Sequence, residues 1–240
     1  MKEIVQRENF AIGNEKLLNS LSTMESVRIL LISDSHGGRI ILREIFQEFG
    51  NLTDIFCFCG DGIPDLVDCI EQSHWDKELS SCIPNAMFFV QGNGDSSRAM
   101  ILTDERCSIS VPVEVFFEAA GKKIYMTHGH KFDVYYGTKD LYKNALSLGA
   151  DIVFYGHTHI ANAQVRHHQI KDGEKKAVTL LNPGSCSIPR GGMPHTFAIV
   201  TISKNKKDVD YTYYEIQQDE NGDYIFAPYT PPEKEISLFW

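Results

Sequence analysis

Val27-Arg28-Ile29-Leu30-Leu31-Ile32-Ser33 is a nearly continuous aliphatic run that stops abruptly at Asp34-Ser35-His36-Gly37-Gly38. A strand with one wet face alternates polar and apolar residues, whereas a strand buried on both faces reads as an unbroken apolar run. The first run is therefore expected to lie inside a sheet covered on both sides. Helically spaced apolar residues follow at Ile40, Ile41, Ile45, Phe46 and Phe49, closed by Gly50-Asn51. A second run, residues 54–59, ends at Gly60-Asp61-Gly62. Strand, helix and strand in this order predict a βαβ opening and a parallel sheet.

The same punctuation recurs along the chain. Residues 86–91 form a third run, ending at Gly92-Asn93-Gly94-Asp95. Between the second and third runs, residues 65–72 read as helix and residues 73–84 as a polar surface insertion. Residues 113–118 and 123–127 flank Ala120-Gly121-Lys122 and predict a hairpin ending at His128. A helix over residues 138–148, with Leu141, Ala145 and Leu148 on one face, leads to Asp151-Ile152-Val153-Phe154-Tyr155 and then Gly156-His157-Thr158-His159. Residues two apart share a side of an extended backbone, so His157 and His159 are expected to project together. Further on, residues 164–171 and 177–181 flank Asp172-Gly173-Glu174, and residues 196–202 and 209–216 flank Lys204-Asn205-Lys206-Lys207. Parallel units first and hairpins later predict an α/β fold with two packed sheets and helices outside.

Composition narrows the function. The chain has 240 residues, 42% of them hydrophobic, and a formal charge of −9. That length and charge suit one domain with a sizeable core and disfavour a broad nucleic-acid grip, which normally carries a basic stripe. Six cysteines lack paired CxxC spacing and read as reduced, mostly buried thiols, so the expected location is cytoplasmic. No membrane span is expected, nor a signal-peptide apolar core. Residues 1–26 read as an N-terminal extension with a short helix over 15–21, residues 27–216 as the main domain, and residues 217–240 as a C-terminal tail. The tail ends in Leu238-Phe239-Trp240, expected either to dock on the body or to mediate a homo-oligomer contact.

In open α/β sheets, ligands bind beyond the carboxyl ends of the strands. Asp34 and His36, Asp61, Asn93, His128, and His157 with His159 all fall there. Singly, Asp61-Gly62 and Asn93-Gly94 are ordinary turn dipeptides; five such ends carrying Asp, His or Asn together point to a shared site. Oxygen and imidazole donors without thiolate suit manganese, iron, cobalt, nickel or zinc in a reactive site rather than a structural thiolate zinc. Seven donors exceed the needs of one ion. Two ions about 3.5–4 Å apart, bridged by one carboxylate and a hydroxide, would use them and attract a phosphate oxygen despite the acidic chain.

On these residues the sequence resembles the calcineurin-like metallophosphoesterases. Asp34-Ser35-His36, Gly60-Asp61, Gly92-Asn93, His128-Gly129-His130 and Gly156-His157-Thr158-His159 follow that superfamily's motif order. Asn182-Pro183-Gly184-Ser185 and Pro189-Arg190 resemble its small bacterial and archaeal phosphodiesterase branch. The resemblance implies a four-layer α/β/β/α sandwich of two mixed sheets flanked by helices, and hydrolysis of a small phosphorylated substrate, a diester ahead of a monoester. It implies two divalent transition metal ions, manganese ahead of iron, nickel, cobalt or zinc. Asp34, His36, Asp61 and His159 would hold one ion. Asp61, Asn93, His128 and His157 would hold the other, with Asp61 bridging and Asp61, Asn93 and His128 central to catalysis. Many relatives carry a histidine directly after the motif asparagine; here Gly94 stands there, which implies slow hydrolysis favouring activated diesters. Asp95 and His130 are candidate partners that orient ligands, and Arg98 and Arg190 candidate contacts to substrate phosphate. The same fold also serves as a non-catalytic scaffold in a retromer subunit, the first competing reading. A superfamily nuclease is the second, weakened by the lack of a basic cluster beyond residues 204–207.

Overall fold

The computed structural model describes residues 4–169 and 175–232. The first half of the chain forms β1 (Ile12–Gly13), α1 (Glu15–Ser20), β2 (Ser26–Ile32), α2 (Arg39–Phe49), β3 (Ile55–Phe58), α3 (Ile63–Trp75), α4 (Lys77–Cys82) and β4 (Ala86–Phe89). Then come β5 (Arg98–Leu102), β6 (Arg106–Ser110), β7 (Glu114–Ala119), β8 (Lys122–Thr127), α5 (Lys139–Leu148) and β9 (Ile152–Phe154). Five strands finish the described chain: β10 (Ala161–Gln169), β11 (Lys175–Pro183), β12 (His195–Ser203), β13 (Asp210–Gln218) and β14 (Tyr224–Tyr229).

The strands build one sheet in the order β1-β4-β3-β2-β12-β13-β14 and another in the order β10-β11-β9-β8-β7, with β5 and β6 a separate pair. Parallel pairing of β2 with β3 and β3 with β4 confirms the βαβ opening, and antiparallel β12 and β13 make the larger sheet mixed. Alternate residues of β2 explain its unbroken apolar run. Leu30 and Ile32 pack under α2, α3 and α4 with Leu42, Phe46 and Leu66. Val27, Ile29 and Leu31 face the second sheet, against Phe117, Ile124, Met126, Ile152 and Phe154. The far face of the second sheet sends Tyr125, Val153 and Leu180 against Leu141 and Ala145 of α5. Helices, sheet, sheet and helix are the four layers of an α/β/β/α sandwich.

Several local expectations change. Residues 73–84 are not a polar insertion: α3 runs on to Trp75 and α4 follows, with Leu79 fully buried in the helical layer. The short helix obscures its one apolar stripe behind polar neighbours. The buried face of α2 is Leu42, Ile45, Phe46 and Phe49, while Ile40 is exposed; on α5, Leu148 is likewise exposed. Strand pairing crosses both expected domain borders. In the N-terminal segment β1 pairs with β4, and beyond residue 216 β14 pairs with β13 along Tyr224–Tyr229. Asp172-Gly173-Glu174 and Leu238-Phe239-Trp240 lie outside the described residues. No helix among the described residues is long and apolar enough to cross a membrane.

Phe88 and Phe117 join the two sheets, their rings 3.9 Å apart and nearly parallel at 6°. Both are buried, so truncation leaves a cavity between layers that cannot slide together. Phe88→Ala should lower unfolding free energy by about 3–5 kcal/mol, read by chemical denaturation.

Candidate metal centre

All seven predicted site residues converge beyond the carboxyl ends of β2, β3, β4, β8 and β9. Asp34 and Asp61 follow adjacent parallel strands, and the loops are tied by backbone bonds from Asp34 N to Gly60 O (2.9 Å) and His36 N to Asp61 O (3.1 Å). Asp34 is fully buried and Asp61 nearly so. Two clusters result, Asp34 with His36 and His159, and Asp61 with His128 and His157, the donor atoms of each lying within 4.8 Å of one another. They abut: His36 Nε2 is 3.6 Å from Asp61 Oδ2, and His128 Nε2 is 3.4 Å from the same oxygen. Asn93 Oδ1 lies 3.3 Å from His128 Nε2.

The two oxygens of Asp34 differ in their partners. Asp34 Oδ2 accepts from Ser33 Oγ (2.6 Å) and His157 N (3.0 Å), but the buried Oδ1 has no hydrogen bond. Around it sit His159 Nε2 at 3.3 Å and the Nε2 atoms of His36 and His128 at 3.9 Å each. A buried carboxylate oxygen without a donor is costly, and a cation held by these atoms would satisfy it. The donor set fits divalent transition metals.

Two imidazoles are oriented for the task. His128 Nδ1 lies 2.6 Å from Cys59 O and His159 Nδ1 2.5 Å from Ile188 O. A carbonyl only accepts, so each Nδ1 donates, and in the neutral ring Nε2 keeps its lone pair toward the site. Burial disfavours charging His157, and the neighbouring His128 adds to this, holding its pKa down at about 4. Burial would raise the pKa of Asp61, yet His128, the Gly94 N–H and His36 outweigh it and hold the carboxylate at about 2.

The backbone is unusual here. Of eight non-glycine residues with positive φ among those described, five are Asp34, His36, Asp61, His157 and His159, with φ from 37° to 70°. His157 and His159 therefore do not share one side of a strand. β9 ends at Phe154, and two left-handed residues separate the imidazoles into different clusters. Gly156 is required by close approach, since a Cβ there would lie 1.9 Å from Ser33 Oγ and 2.6 Å from Asp34 Oδ2.

Supporting residues hold these conformations. Asp95 accepts from Asp61 N (2.7 Å), Gly62 N (3.1 Å), Ile63 N (3.0 Å) and Gly92 N (3.0 Å), clamping two strand-end loops to one carboxylate. Asp65 accepts from Ser35 Oγ and Gly37 N, and Ser185 Oγ donates to Asp34 O. Neither Asp65 nor Ser185 was singled out as a site residue. Asp65, two residues after Ile63 in the first turn of α3, carries a weak helix-start signal; Ser185 stood in a noted motif but without this role. His130 packs beside His128 and His157. Arg190 donates to Tyr135 Oη, which donates to His157 O (2.7 Å), so its guanidinium braces the site wall. Arg98 lies away from this wall, at the start of β5.

Residues 27–205 match the calcineurin-like phosphoesterase superfamily domain. A Bacillus subtilis (strain 168) protein named "Probable metallophosphoesterase YsnB" is 27% identical over 185 residues, 77% of this chain and 90% of that protein. Phosphodiesterase YfcE of Escherichia coli (strain K12) is 33% identical over 119 residues, 49% of this chain and 54% of YfcE. The structure of Vacuolar Protein Sorting 29 from Cryptosporidium parvum superposes with a TM-score of 0.55 at 20% identity, covering 88% of this chain and all of that one. That last likeness speaks to the fold alone.

Asp95→Asn replaces acceptor lone pairs by donors facing four N–H groups. Unfolding free energy should fall by about 2–4 kcal/mol, read by denaturation of the metal-free protein.

Proposed function

Because this chain belongs to the calcineurin-like phosphoesterase superfamily, we propose that it is a metal-dependent phosphodiesterase acting on a small phosphodiester at a two-metal centre. The observation that carries this reading is the pair of abutting donor clusters around the unpartnered Asp34 Oδ1, with Asp61 Oδ2 facing both. Asp34, His36 and His159 would hold one ion. His128, His157 and Asn93 would hold the other, and Asp61 would serve both. When bound, such ions acidify water and stabilise charge growing on phosphorus.

The remaining work falls to the chain itself. The Nδ1–H bonds to Cys59 O and Ile188 O fix His128 and His159, so their rings need not reorganise when the site fills. Gly94 N donates to Asp61 Oδ1 (2.7 Å), leaving Oδ2 free toward the imidazoles. Diester preference draws on the likeness to YfcE and on Gly94, which offers no proton for a poor leaving group. Manganese ranks first among ions, ahead of iron, nickel, cobalt and zinc. No observation here favours the scaffold or nuclease reading over catalysis.

Elemental analysis of the purified protein, together with turnover of an activated aryl phosphodiester, tests the proposal. Bound transition metal and metal-dependent turnover are expected; no metal and no turnover would favour a scaffold. Asp61→Asn should retain the fold by circular dichroism, weaken both ions, and cut turnover by more than about a hundredfold, beyond what loss of a merely orienting partner causes. Gly94→His should raise the rate on alkyl diesters relative to p-nitrophenyl esters by about a hundredfold, the lower end of general-acid effects. A Cβ at this position would lie 3.3 Å from Asp61 Oδ1, so Gly94→Ala controls for crowding.

A further inference from the structure

His157 is anchored differently from its neighbours His128 and His159. Their rings are fixed by Nδ1–H bonds to Cys59 O (2.6 Å) and Ile188 O (2.5 Å). Metal-binding imidazoles are usually oriented in this way, through the ring nitrogen that faces away from the ion. No ring nitrogen of His157 has a hydrogen bond among the described residues. Its φ of 70° is moreover left-handed, a conformation that a non-glycine residue keeps only where its surroundings over-determine it.

The restraint comes from outside the ring. His157 N donates to Asp34 Oδ2 (3.0 Å), and His157 O accepts from Tyr135 Oη (2.7 Å), so the backbone is held on both sides. The Tyr135 ring also meets the imidazole edge-on, with centres 4.6 Å apart at 60°, which limits its rotation. Tyr135 is itself held. It lies in the short turn Val134–Tyr136, and Val134 is buried in the apolar cluster between the second sheet and α5. Arg190 Nη1 donates to Tyr135 Oη, and its guanidinium carbon lies 5.7 Å from the ring centre. A hydroxyl carries one proton, so accepting from Arg190 commits that proton to His157 O and polarises the bond. Arg190 is exposed and has no carboxylate partner among the described residues. Its link to His159 runs through the backbone, Arg190 N to His159 O (3.2 Å), which side-chain substitution leaves in place.

We infer that Tyr135, braced by Arg190, is a positioning residue for the ion assigned to Asp61, Asn93, His128 and His157, and not for the ion assigned to Asp34, His36 and His159. The inference rests on the two-metal reading and deepens it. Tyr135 touches no reacting atom; it takes the place of the ring hydrogen bond that His157 lacks.

Manganese titration of the metal-free full chain, followed by calorimetry, tests this in two backgrounds. His159→Ala should leave the ion beside His157, and there Tyr135→Phe should lower manganese affinity by about tenfold, the lower end of losses caused by removing an orienting partner. His157→Ala should leave the other ion, and there Tyr135→Phe should change nothing. Arg190→Ala should weaken the ion beside His157 less than Tyr135→Phe does, and Arg190→Lys should recover part of that loss. In the otherwise unaltered chain, crystals of Tyr135→Phe soaked with limiting manganese should show a weakened anomalous peak beside His157 and a full one beside His159. This second measurement decides the matter if either background variant binds no ion. Tyr135→Phe without effect on the ion beside His157, or with equal losses at both ions, overturns the positioning role alone. Wild type that binds fewer than two manganese ions overturns the two-metal reading and the positioning role with it.

Discussion

Two aspartates buried side by side at the ends of adjacent parallel strands are the constraint on which the rest of this structure depends. Asp34 and Asp61 lose water on folding, and isolated buried carboxylates would rather take up a proton. The chain instead surrounds them with four imidazoles, backbone N–H donors and the Ser33 hydroxyl, so that Asp61 stays ionised far into the acid range. One oxygen, Asp34 Oδ1, is left without a donor. Groups are placed to fill that lack, and what fills it best is a cation.

Such placement needs unusual backbone. Five ligand-candidate residues adopt left-handed conformations that cost of order 1–3 kcal/mol each outside glycine. They persist because neighbouring loops over-determine them. Asp95 clamps the β3 and β4 ends, Asp65 fixes the Ser35–Gly37 turn, and Ser185 and Ser187 reach back from beyond β11 to the carbonyls of Asp34 and Ser35. The packed sheets supply the rigidity. With Phe88 against Phe117 between the layers, strand ends from both sheets meet at one rim and hold their relative positions. Strain at the site is thus balanced by packing away from it.

Much of this was legible in the residues. Burial on both faces forces a parallel strand to read as an apolar run, so β2, β3 and β4 announced themselves, and the polar residues that ended each run marked the rim. Other parts depend on segments meeting across long sequence distances and leave no local pattern. The edge strand β1 is two residues long. The clamp by Asp95 looks like any loop aspartate until the β3 and β4 ends lie side by side. His157 and His159 show the limit most clearly: the resemblance already assigns them to different ions, as the two clusters have it, but an extended backbone would have put both on one side, and the left-handed conformations that part them leave no local pattern. α4 was missed because one buried leucine among serines gives almost no periodicity.

The central claim is that these clusters form two adjacent cation sites sharing Asp61. Crystals of the protein grown with manganese, measured by anomalous diffraction at the manganese edge, address it directly. The account predicts two anomalous peaks about 3.5–4 Å apart, one among Asp34, His36 and His159 and one among Asp61, His128 and His157. No peak, a single peak, or peaks away from Asp34 Oδ1 and Asp61 Oδ2 would contradict it.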